Sequence, residues 1–541
     1  MPYSATQRRL LERHFSVVDG PAHADIYLVR NLPPEVAATL NGVYSRSSKS
    51  MRDQFLERLE GGLAATGKRL EDVVDTDAPR DVLSAAMADK SGQFLKTYAI
   101  DHGHNSLREG SVVHLAVERV SQLVTRFVQR ERRCSFEESS TRYISFSAET
   151  HWRDPDVLAA GGDVAAAYDA VLADTFALYT ECSERLLQHL QRLRPLQQGE
   201  KEGPWQRALK AEAFDAARYL LTPAIHTKWG LVADARTLSE IVTALLSHPL
   251  AEFRIVGERM RQQAQQALPT LLAHARPNAF LQAQHETLRR LATELAVHRA
   301  PATAATAQPG QVVLLQHDPE LDDRLLASLL YEHASEPFAT LQAAVRALTD
   351  GQRRALLDQA MQQRGAHDAW PLGLEGAAPF EFEVLVDFGA YRDIGRHRKG
   401  FQQQQPLSTA HGFAVPPLIV EAGLQDRYAD VLARAAAHQR RVAERFPHAA
   451  GYVTPFAFLQ RVRIVFDPRQ LAYFIELRSG PEGHFAYRKV ALDMFAHLQR
   501  VSPLFAQFVR AQVGDAFLGR MQQEQTADER RQRRMQAAGD A

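Results

Sequence analysis

Two short arginine clusters are the residues of this sequence best suited to hold an anion. The first is Arg130–Glu131–Arg132, which opens the stretch RERRCSFEESSTRY, and the second is Arg396–His397–Arg398. A guanidinium presents a planar fork of charged donors that matches phosphate oxygens. Each cluster is therefore able to bind a single phosphate group.

Each cluster follows a segment that predicts a strand and then a helix. Before the second cluster, apolar residues alternate strictly from Phe380 to Phe388, which is typical of a half-buried strand. Before the first cluster the pattern is ambiguous, because alternation from Val113 to Val117 runs into helical spacing from Val117 to Phe127. By analogy with the second segment, we predict a strand followed by a helix. Both clusters then lie at or just past a helix C-terminus.

The order of these features suggests a duplication within the 541 residues. The stretch APATAATAQPG, which ends at Gly310, has the composition of a linker. We predict an α+β chain with a first half at 1–300, a linker at 301–310, a second half at 311–518 and a polar tail at 519–541. Helical periodicity predicts helices over 164–193, 252–268 and 341–360. The basic segment 40–59 is also expected to be helical.

Composition excludes several classes of protein. Lys+Arg and Asp+Glu both count 64, so there is no basic excess of the kind that binds nucleic acid. No apolar run approaches the roughly 20 residues that span a bilayer. The first 20 residues lack the apolar core of a secretory signal. A cytoplasmic protein without a nucleic-acid or membrane partner is expected.

Cofactor and metal motifs of other kinds are not found. The two cysteines, Cys134 and Cys182, are too few for a disulfide framework or a four-thiolate metal site. His102, His104 and His397 lack the carboxylate or cysteine cluster that a metal requires, so no metal is expected. No Gly-x-Gly-x-x-Gly or Walker-type loop occurs.

Cys134 leaves a nucleophilic mechanism open. The neighbouring Arg132 and Arg133 would lower the pKa of its thiol and favour attack by the thiolate. The alternative is a small, inert residue of the kind that proteins bury. Ser140 has no nearby His-Asp pair that would make it a triad nucleophile.

The motifs of the first half resemble those of flavin-dependent thymidylate synthases. The family signature is Arg-His-Arg, seven residues, Ser, one residue, Arg and usually Tyr. Here the cluster at 130–132 is followed at that spacing by Ser140, Arg142 and Tyr143, with Glu131 in place of the family's His. GHNSLRE at 103–109 and AARYLLTP at 216–223 resemble two further family segments, in family order.

The second half resembles the family at different positions. Its Arg-His-Arg is intact, but Gln404 and Pro406 stand where the family has Glu and Ser. DPRQLAYFIELRSGPEGH at 467–484 resembles a late family segment, and Arg478 stands where the family has an Arg facing the pyrimidine. Leu245 takes that place in the first half. The resemblance implies two tandem family-like domains, each a small, mostly antiparallel sheet packed with long helices.

The resemblance also implies roles for particular residues. Those implied to bind FAD are His104, Ser106, Glu109, Arg130, Arg132, Arg396, His397 and Arg398. Those implied to bind the nucleotide are Glu138, Ser140, Arg142, Tyr143, Arg218 and Arg478, while Ser140, Arg478 and His104 are the implied catalytic residues. The alternative for Arg142 and Arg218 is a surface or ion-paired arginine, and for the clusters it is a favourable interaction with a helix dipole.

The implied reaction is the reductive methylation of dUMP to dTMP. Reduced FAD supplies the hydride, methylenetetrahydrofolate the one-carbon unit, and NADPH re-reduces the flavin. Family enzymes are homotetramers with sites between subunits, so two fused chains are expected to form a pseudo-tetramer with composite sites. The alternatives are a second half that is only a scaffold, a flavoenzyme for another pyrimidine nucleotide or one-carbon donor, and a catalytically silent binding relative.

Overall fold

The protein is described by a computed structural model. The described residues are 3–19, 29–44, 49–65, 67–74, 90–139, 146, 151–199, 201–297, 310–481, 483–513, 524–526, 528–530 and 532–533. They form an α+β structure with two small antiparallel sheets and many helices, as the sequence predicts. The chain divides into two compact units, which do not follow the two sequence halves.

The first unit comprises residues 1–118, 133–138 and 228–298. Its helices are α1 Ala5–His14, α2 Pro34–Tyr44, α3 Met51–Ala65, α4 Glu71–Val74, α5 Asn105–Glu109, α10 Ala235–Leu246, α11 Ala251–Gln265 and α12 Ala279–Val297, with a π-helix at Lys96–Asp101. Most residues of a sheet with the order β1 Val112–Ser121, β3 His226–Asp234, β2 Ser135–Glu138 belong to this unit, while 119–121 and 226–227 are counted with the second. Most of the described part of the basic segment 40–59 lies on α2 and α3, which confirms that the segment is largely helical.

The second unit comprises residues 119–132, 139–227 and 299–541. From the first half it contains α6 Gln122–Val128, α7 Pro155–Ala160, α8 Gly162–Leu193, α9 Glu202–Ala217 and a 3-10 turn at Arg218–Leu220. From the second half it contains β4 Gln311–Gln316, α13 Leu321–Tyr331, α14 Phe338–Arg346, α15 Asp350–Met361, β5 Phe380–Asp387, α16 Phe388–Ile394, β6 Phe401–Gln404, α17 Pro417–Glu421, α18 Gln425–Arg445, β7 Leu459–Phe466, α19 Pro468–Arg478, α20 Phe485–Val501 and α21 Pro503–Ala506, with 3-10 turns at Leu372–Gly376 and Ala449–Val453.

The sheet of the second unit has the order β4-β5-β7-β6. β5 pairs antiparallel with β7, with Phe382 opposite Ile464 and Val384 opposite Val462. The predicted alternation of β5 is confirmed, because Phe380, Phe382 and Val384 are buried while the intervening glutamates are partly exposed. This apolar face packs against α19 and α20 and forms one hydrophobic core.

The predicted order of strand, helix and basic cluster is confirmed in both halves. β1 leads directly into α6, whose N-cap Ser121 accepts a hydrogen bond from the Val124 amide. β5 leads directly into α16, whose N-cap Asp387 accepts from the Ala390 amide at 2.6 Å. These side chains satisfy amides that a helix leaves unpaired at its start. The strand thereby changes to helix at a fixed residue, and each basic cluster follows its helix.

All three segments predicted from periodicity are helical, but the third is divided into two helices. The helices predicted at 164–193 and 252–268 correspond to α8 and α11. Over 341–360 the chain instead forms α14 and α15, with a break between them. Thr349 caps α15 in a capping box with Gln352, and this local chemistry outweighs the continuous apolar pattern.

Helices from both sequence halves share a core within the second unit. α8 packs against α18, and ion pairs join Glu181 to Arg427 at 2.7 Å and Asp174 to Arg434 at 3.2 Å. Two Thr-Pro turns also exchange backbone hydrogen bonds: the Ala224 amide donates to the Tyr452 carbonyl, and the Phe456 amide to the Leu221 carbonyl. The halves therefore meet inside one unit.

The boundaries predicted at 300 and 311 stay predictions. Residues 298–309, which hold most of the predicted linker, lie outside the described part of the chain. Most of the predicted tail lies outside it too, although 524–526, 528–530 and 532–533 are helical. From this segment Glu524 pairs with Arg207 and Asp528 with Lys201, each at 3.0 Å.

Candidate functional site

His397 and Arg478, two of the predicted site residues, are in direct contact. The Arg478 Nε donates a hydrogen bond of 2.7 Å to His397 Nε2, so the imidazole accepts on that nitrogen. The guanidinium lies over the Tyr487 ring, 5.2 Å from its centroid. The His397 ring packs edge-on against Phe474 at 4.8 Å. Sequence positions 81 residues apart thus form one oriented pair.

The environment of His397 keeps its imidazole neutral. Burial, and to a smaller extent the cation of Arg478, lowers its pKa to about 3. A neutral imidazole is required for the contact described, since a protonated ring has no acceptor nitrogen. The side chain therefore acts at neutral pH as one acceptor and one donor.

We expect His397 to contribute to stability in a pH-dependent way. Its folded pKa is depressed below the ordinary value, so the unfolded chain binds the proton more readily as the pH falls from 6.5 to about 3. The contribution of His397 to the free energy of unfolding is therefore present above pH 6.5 and is lost as the pH falls from 6.5 to about 3. Imidazole NMR should show a neutral ring at pH 5, with His397→Gln assigning the signal. Titration of that signal near pH 6.5 would contradict the prediction.

The two basic clusters hold each other's backbone. The Arg132 Nη1 donates to the Lys399 carbonyl at 3.1 Å, and the Arg398 Nη1 donates to the Glu131 carbonyl at 3.2 Å. Gln402 donates to the carbonyls of His397 at 3.0 Å and Ile394 at 3.3 Å. The clusters predicted from the two halves are therefore brought together in the second unit.

The remaining cluster arginines extend to the surface. Arg130 is exposed by its surface area and lies over the Phe127 ring, although burial of its guanidinium among surrounding atoms lowers its pKa. The Arg396 side chain is 49% exposed and 3.8 Å from Asp393. Glu131, which replaces the family's His, accepts a hydrogen bond of 2.9 Å from the Arg132 amide. Exposed guanidinium groups with few internal partners suit a phosphate-bearing ligand.

Arg218, predicted to hold the nucleotide phosphate, is enclosed by the protein. It is 1% exposed, and its guanidinium lies 3.5 Å from Asp393 and 4.0 Å from Asp215. Because Asp393 also approaches Arg396, this carboxylate lies between the buried arginine and the second cluster. The geometry agrees with the ion-pair alternative, and the phosphate role stays a prediction.

Sequence reasoning missed the acidic and aromatic residues that surround Arg218. Asp387 is fully buried, and burial raises its pKa to about 6, opposed by the Ala390 amide and by Arg218. Burial also raises the pKa of Tyr219, whose ring stacks on His484 at 5.7 Å. His484 in turn contacts the Asp215 carbonyl at 3.3 Å. A charged residue at the end of the buried strand β5 was the available signal for Asp387.

The other described site residues of the first half belong to the first unit. His104 occupies the N-cap position of α5 without a side-chain cap hydrogen bond. Its amide donates to the Tyr98 carbonyl at 3.0 Å, and its ring stacks on the Tyr98 ring. On the same helix Ser106 is exposed, and Glu109 pairs with Arg236 at 2.6 Å. Glu138 ends β2 opposite Trp229. A π-helix precedes this motif, and such bulges are frequent at functional sites.

Three predicted site residues lie outside the described part of the chain. They are Ser140, Arg142 and Tyr143, the second part of the family signature. Their roles in nucleotide binding and catalysis stay predictions.

Comparison with known proteins decides the family. A family model described as "Thymidylate synthase complementing protein" matches residues 47–270 and 313–504. This chain belongs to that family. The two matched segments agree with the tandem form that its motifs predict.

Relatives of similar length exist in bacteria and an archaeon. A UPF0159 protein of Chlamydia muridarum is 26% identical over 96% of this chain and 98% of its own length. A UPF0159 protein of Chlamydia pneumoniae is 27% identical over 93% of this chain and 94% of its own. One from Thermoplasma acidophilum is 23% identical over 80% of this chain and 92% of its own. These names state no activity, so the comparisons support the family rather than a reaction.

No group of three or more metal-ligating side chains that could hold an ion occurs among the described residues. Within the same residues, no helix is both long and apolar enough to cross a membrane. Cys134 is partly exposed and precedes β2, and Cys182 is buried in α8. Burial raises the pKa of Cys182 to about 12, so that thiol is not a nucleophile at neutral pH.

The glycine that follows the second cluster is expected to tolerate no side chain. A Cβ on Gly400 would collide with the Phe466 ring and come within 2.9 Å of the Val465 carbonyl oxygen. We expect Gly400→Ala to lower the free energy of unfolding by about 1–3 kcal/mol, measured by urea denaturation. The control is Gly351→Ala on α15, where the nearest atom is 4.0 Å away and alanine is expected to be neutral or stabilising. Equal effects of the two substitutions would contradict the prediction.

Proposed function

We propose that this chain is a flavin-dependent thymidylate synthase whose site in the second unit uses residues from both sequence halves. The observation that carries the proposal is the pair of basic clusters, which hold each other's backbone next to the His397–Arg478 pair. Family membership alone leaves the reaction open, because one fold supports many activities. The arrangement of charged donors supports the specific assignment.

The residues present fit a flavin. Arg130 and Arg396 belong to the two basic clusters, and Arg132 and Arg398 each donate to a backbone carbonyl of the other cluster. We propose that these guanidinium groups hold the pyrophosphate of FAD. When bound and reduced, FAD would supply the hydride for methylating dUMP with the carbon of methylenetetrahydrofolate, and NADPH would restore it. Glu131 adds one negative charge where the family has His.

Arg478 is proposed to bind the uracil ring of dUMP. Its Nε is fixed by His397 and its flat face by Tyr487, so the guanidinium plane has one orientation. The two terminal nitrogens would then donate to a uracil carbonyl, where a charged donor stabilises developing negative charge. A neutral His397 keeps this orientation across the physiological pH range.

A second candidate is a relative that binds nucleotide or flavin without turnover. It is favoured by Arg218, which is enclosed by Asp215 and Asp393 instead of being open to a phosphate. Such a protein would retain ligand affinity and lack dUMP methylation. A synthase for a different pyrimidine nucleotide would instead turn over that nucleotide.

Two assays separate these functions. The gene alone should restore growth of a thymidine-requiring bacterium, and purified protein with FAD, NADPH, methylenetetrahydrofolate and dUMP should form dTMP detectable by mass spectrometry. Ligand binding without dTMP would support the second candidate.

In light scattering, we expect a particle of twice the chain mass, which corresponds to the proposed pseudo-tetramer. A monomer that forms dTMP would refute the pseudo-tetramer while leaving the reaction in place.

A further inference from the structure

A buried arginine of the first half contacts the helix that precedes the second basic cluster. Arg126 lies in the last turn of α6 and Arg392 in the last turn of α16, each four residues before the first Arg of its cluster. Arg126 is 6% exposed, and its Nη1 donates a hydrogen bond of 3.1 Å to the Arg392 carbonyl. The two equivalent positions are thereby linked by one charged hydrogen bond.

This contact satisfies a carbonyl that a helix leaves without a partner. The last carbonyls of a helix lack intrahelical donors, and burial makes an unpaired one costly. α16 ends at Ile394, so the Arg392 carbonyl belongs to this group. A hydrogen bond from a charged donor is stronger than one between neutral groups. Arg126 therefore fixes the end of α16 immediately before Arg396.

The same stretch of backbone is held at three further carbonyls. Gln402 donates to the carbonyls of Ile394 and His397, and Arg132 donates to that of Lys399. Four carbonyls between 392 and 399 thus accept from three side chains. Arg126 and Arg132 belong to the first sequence half, so the path of the second cluster depends on residues from outside its own half.

We propose that Arg126 is a positioning residue, which holds the Arg396–His397–Arg398 backbone in its ligand-binding conformation. It acts through the Arg392 carbonyl and touches no ligand itself. The second half would then be unable to form its anion site without the first. The flavin part of the test below rests on the proposed function, whereas the backbone part does not.

Hydrogen exchange of the full chain, followed by mass spectrometry, tests this inference. In Arg126→Met we expect amides of 392–404 to exchange about tenfold faster than in the wild type, with other regions unchanged, because local opening becomes easier. Arg126→Gln is less disruptive and replaces Arg126→Met in this test if the methionine variant does not fold. Flavin affinity should fall about tenfold in parallel.

The matched control is Arg52→Met in the first unit. Arg52 is also buried and also donates to a backbone carbonyl, that of Val17 at 2.8 Å. Arg52→Met should leave the hydrogen exchange of amides 392–404 and the flavin affinity unchanged. Unchanged exchange at 392–404 in a folded Arg126 variant, or faster exchange spread evenly over the chain, would overturn the inference. If the wild type binds no flavin while Arg126→Met still shows the localised exchange effect, the proposed function is refuted and the positioning role is retained.

Discussion

Replacing Arg478 with alanine is expected to lower kcat/KM for dUMP methylation by about 100-fold, the cost of removing one oriented donor at a site of developing charge. The substitution removes the guanidinium that His397 orients and that lies over Tyr487. It also removes the cation that helps to depress the pKa of His397, so that pKa should rise. Steady-state kinetics and imidazole NMR on the same protein measure both effects.

The control for this prediction is Arg500→Ala, an exposed arginine on the neighbouring helix α20. It removes the same charge from the chain and should leave turnover unchanged. Thermal unfolding of both variants separates a loss of chemistry from a loss of fold. Wild-type ligand binding and turnover in Arg478→Ala would exclude a role for the second half in the site and favour the scaffold alternative.

Replacing Arg218 with methionine is expected to lower the free energy of unfolding by about 3–5 kcal/mol, because removing one partner leaves buried carboxylates uncompensated. Arg218 is 1% exposed and lies between Asp215 and Asp393. Denaturant unfolding without ligand measures the loss. Combining Arg218→Met with Asp393→Asn should cost less than the sum of the single substitutions, since the two residues share one interaction.

The exposed pair of Arg153 and Asp169 provides the comparison for Arg218. Both side chains are about half exposed, so Arg153→Met should cost less than about 1 kcal/mol. If Arg218 instead serves mainly as the phosphate ligand, its replacement would weaken dUMP binding while leaving unfolding nearly unchanged. That result would refute the structural role and restore the role implied by the family motif.

The order of strand, helix and basic cluster could be predicted from the sequence where a single pattern of side chains dominates a segment. Alternation in β5 and the position of the clusters after α6 and α16 follow from side-chain periodicity and spacing. The break between α14 and α15 could not be predicted from periodicity, because Thr349 and Gln352 form a capping box inside a continuous apolar pattern. Periodicity reports burial, whereas the cap acts on backbone amides.

The composition of the second unit could not be predicted in this way. It joins residues 119–132 and 139–227 to the second half, through contacts between positions far apart in sequence. The motifs identified the arginines, but not that Arg218 is enclosed by Asp393 or that Arg126 reaches the Arg392 carbonyl. Partners of a charged residue depend on tertiary packing, which spacing along the chain does not encode.

The measurement that tests the central claim most directly is the amount of flavin bound by the purified chain. The protein would be reconstituted with FAD, freed of excess, and its absorbance spectrum recorded with and without dUMP. We expect stoichiometric flavin in the wild type and strongly reduced flavin when Arg396 and Arg398 are both replaced by alanine. No retained flavin under either condition would contradict the enzyme assignment and leave a family member without its cofactor.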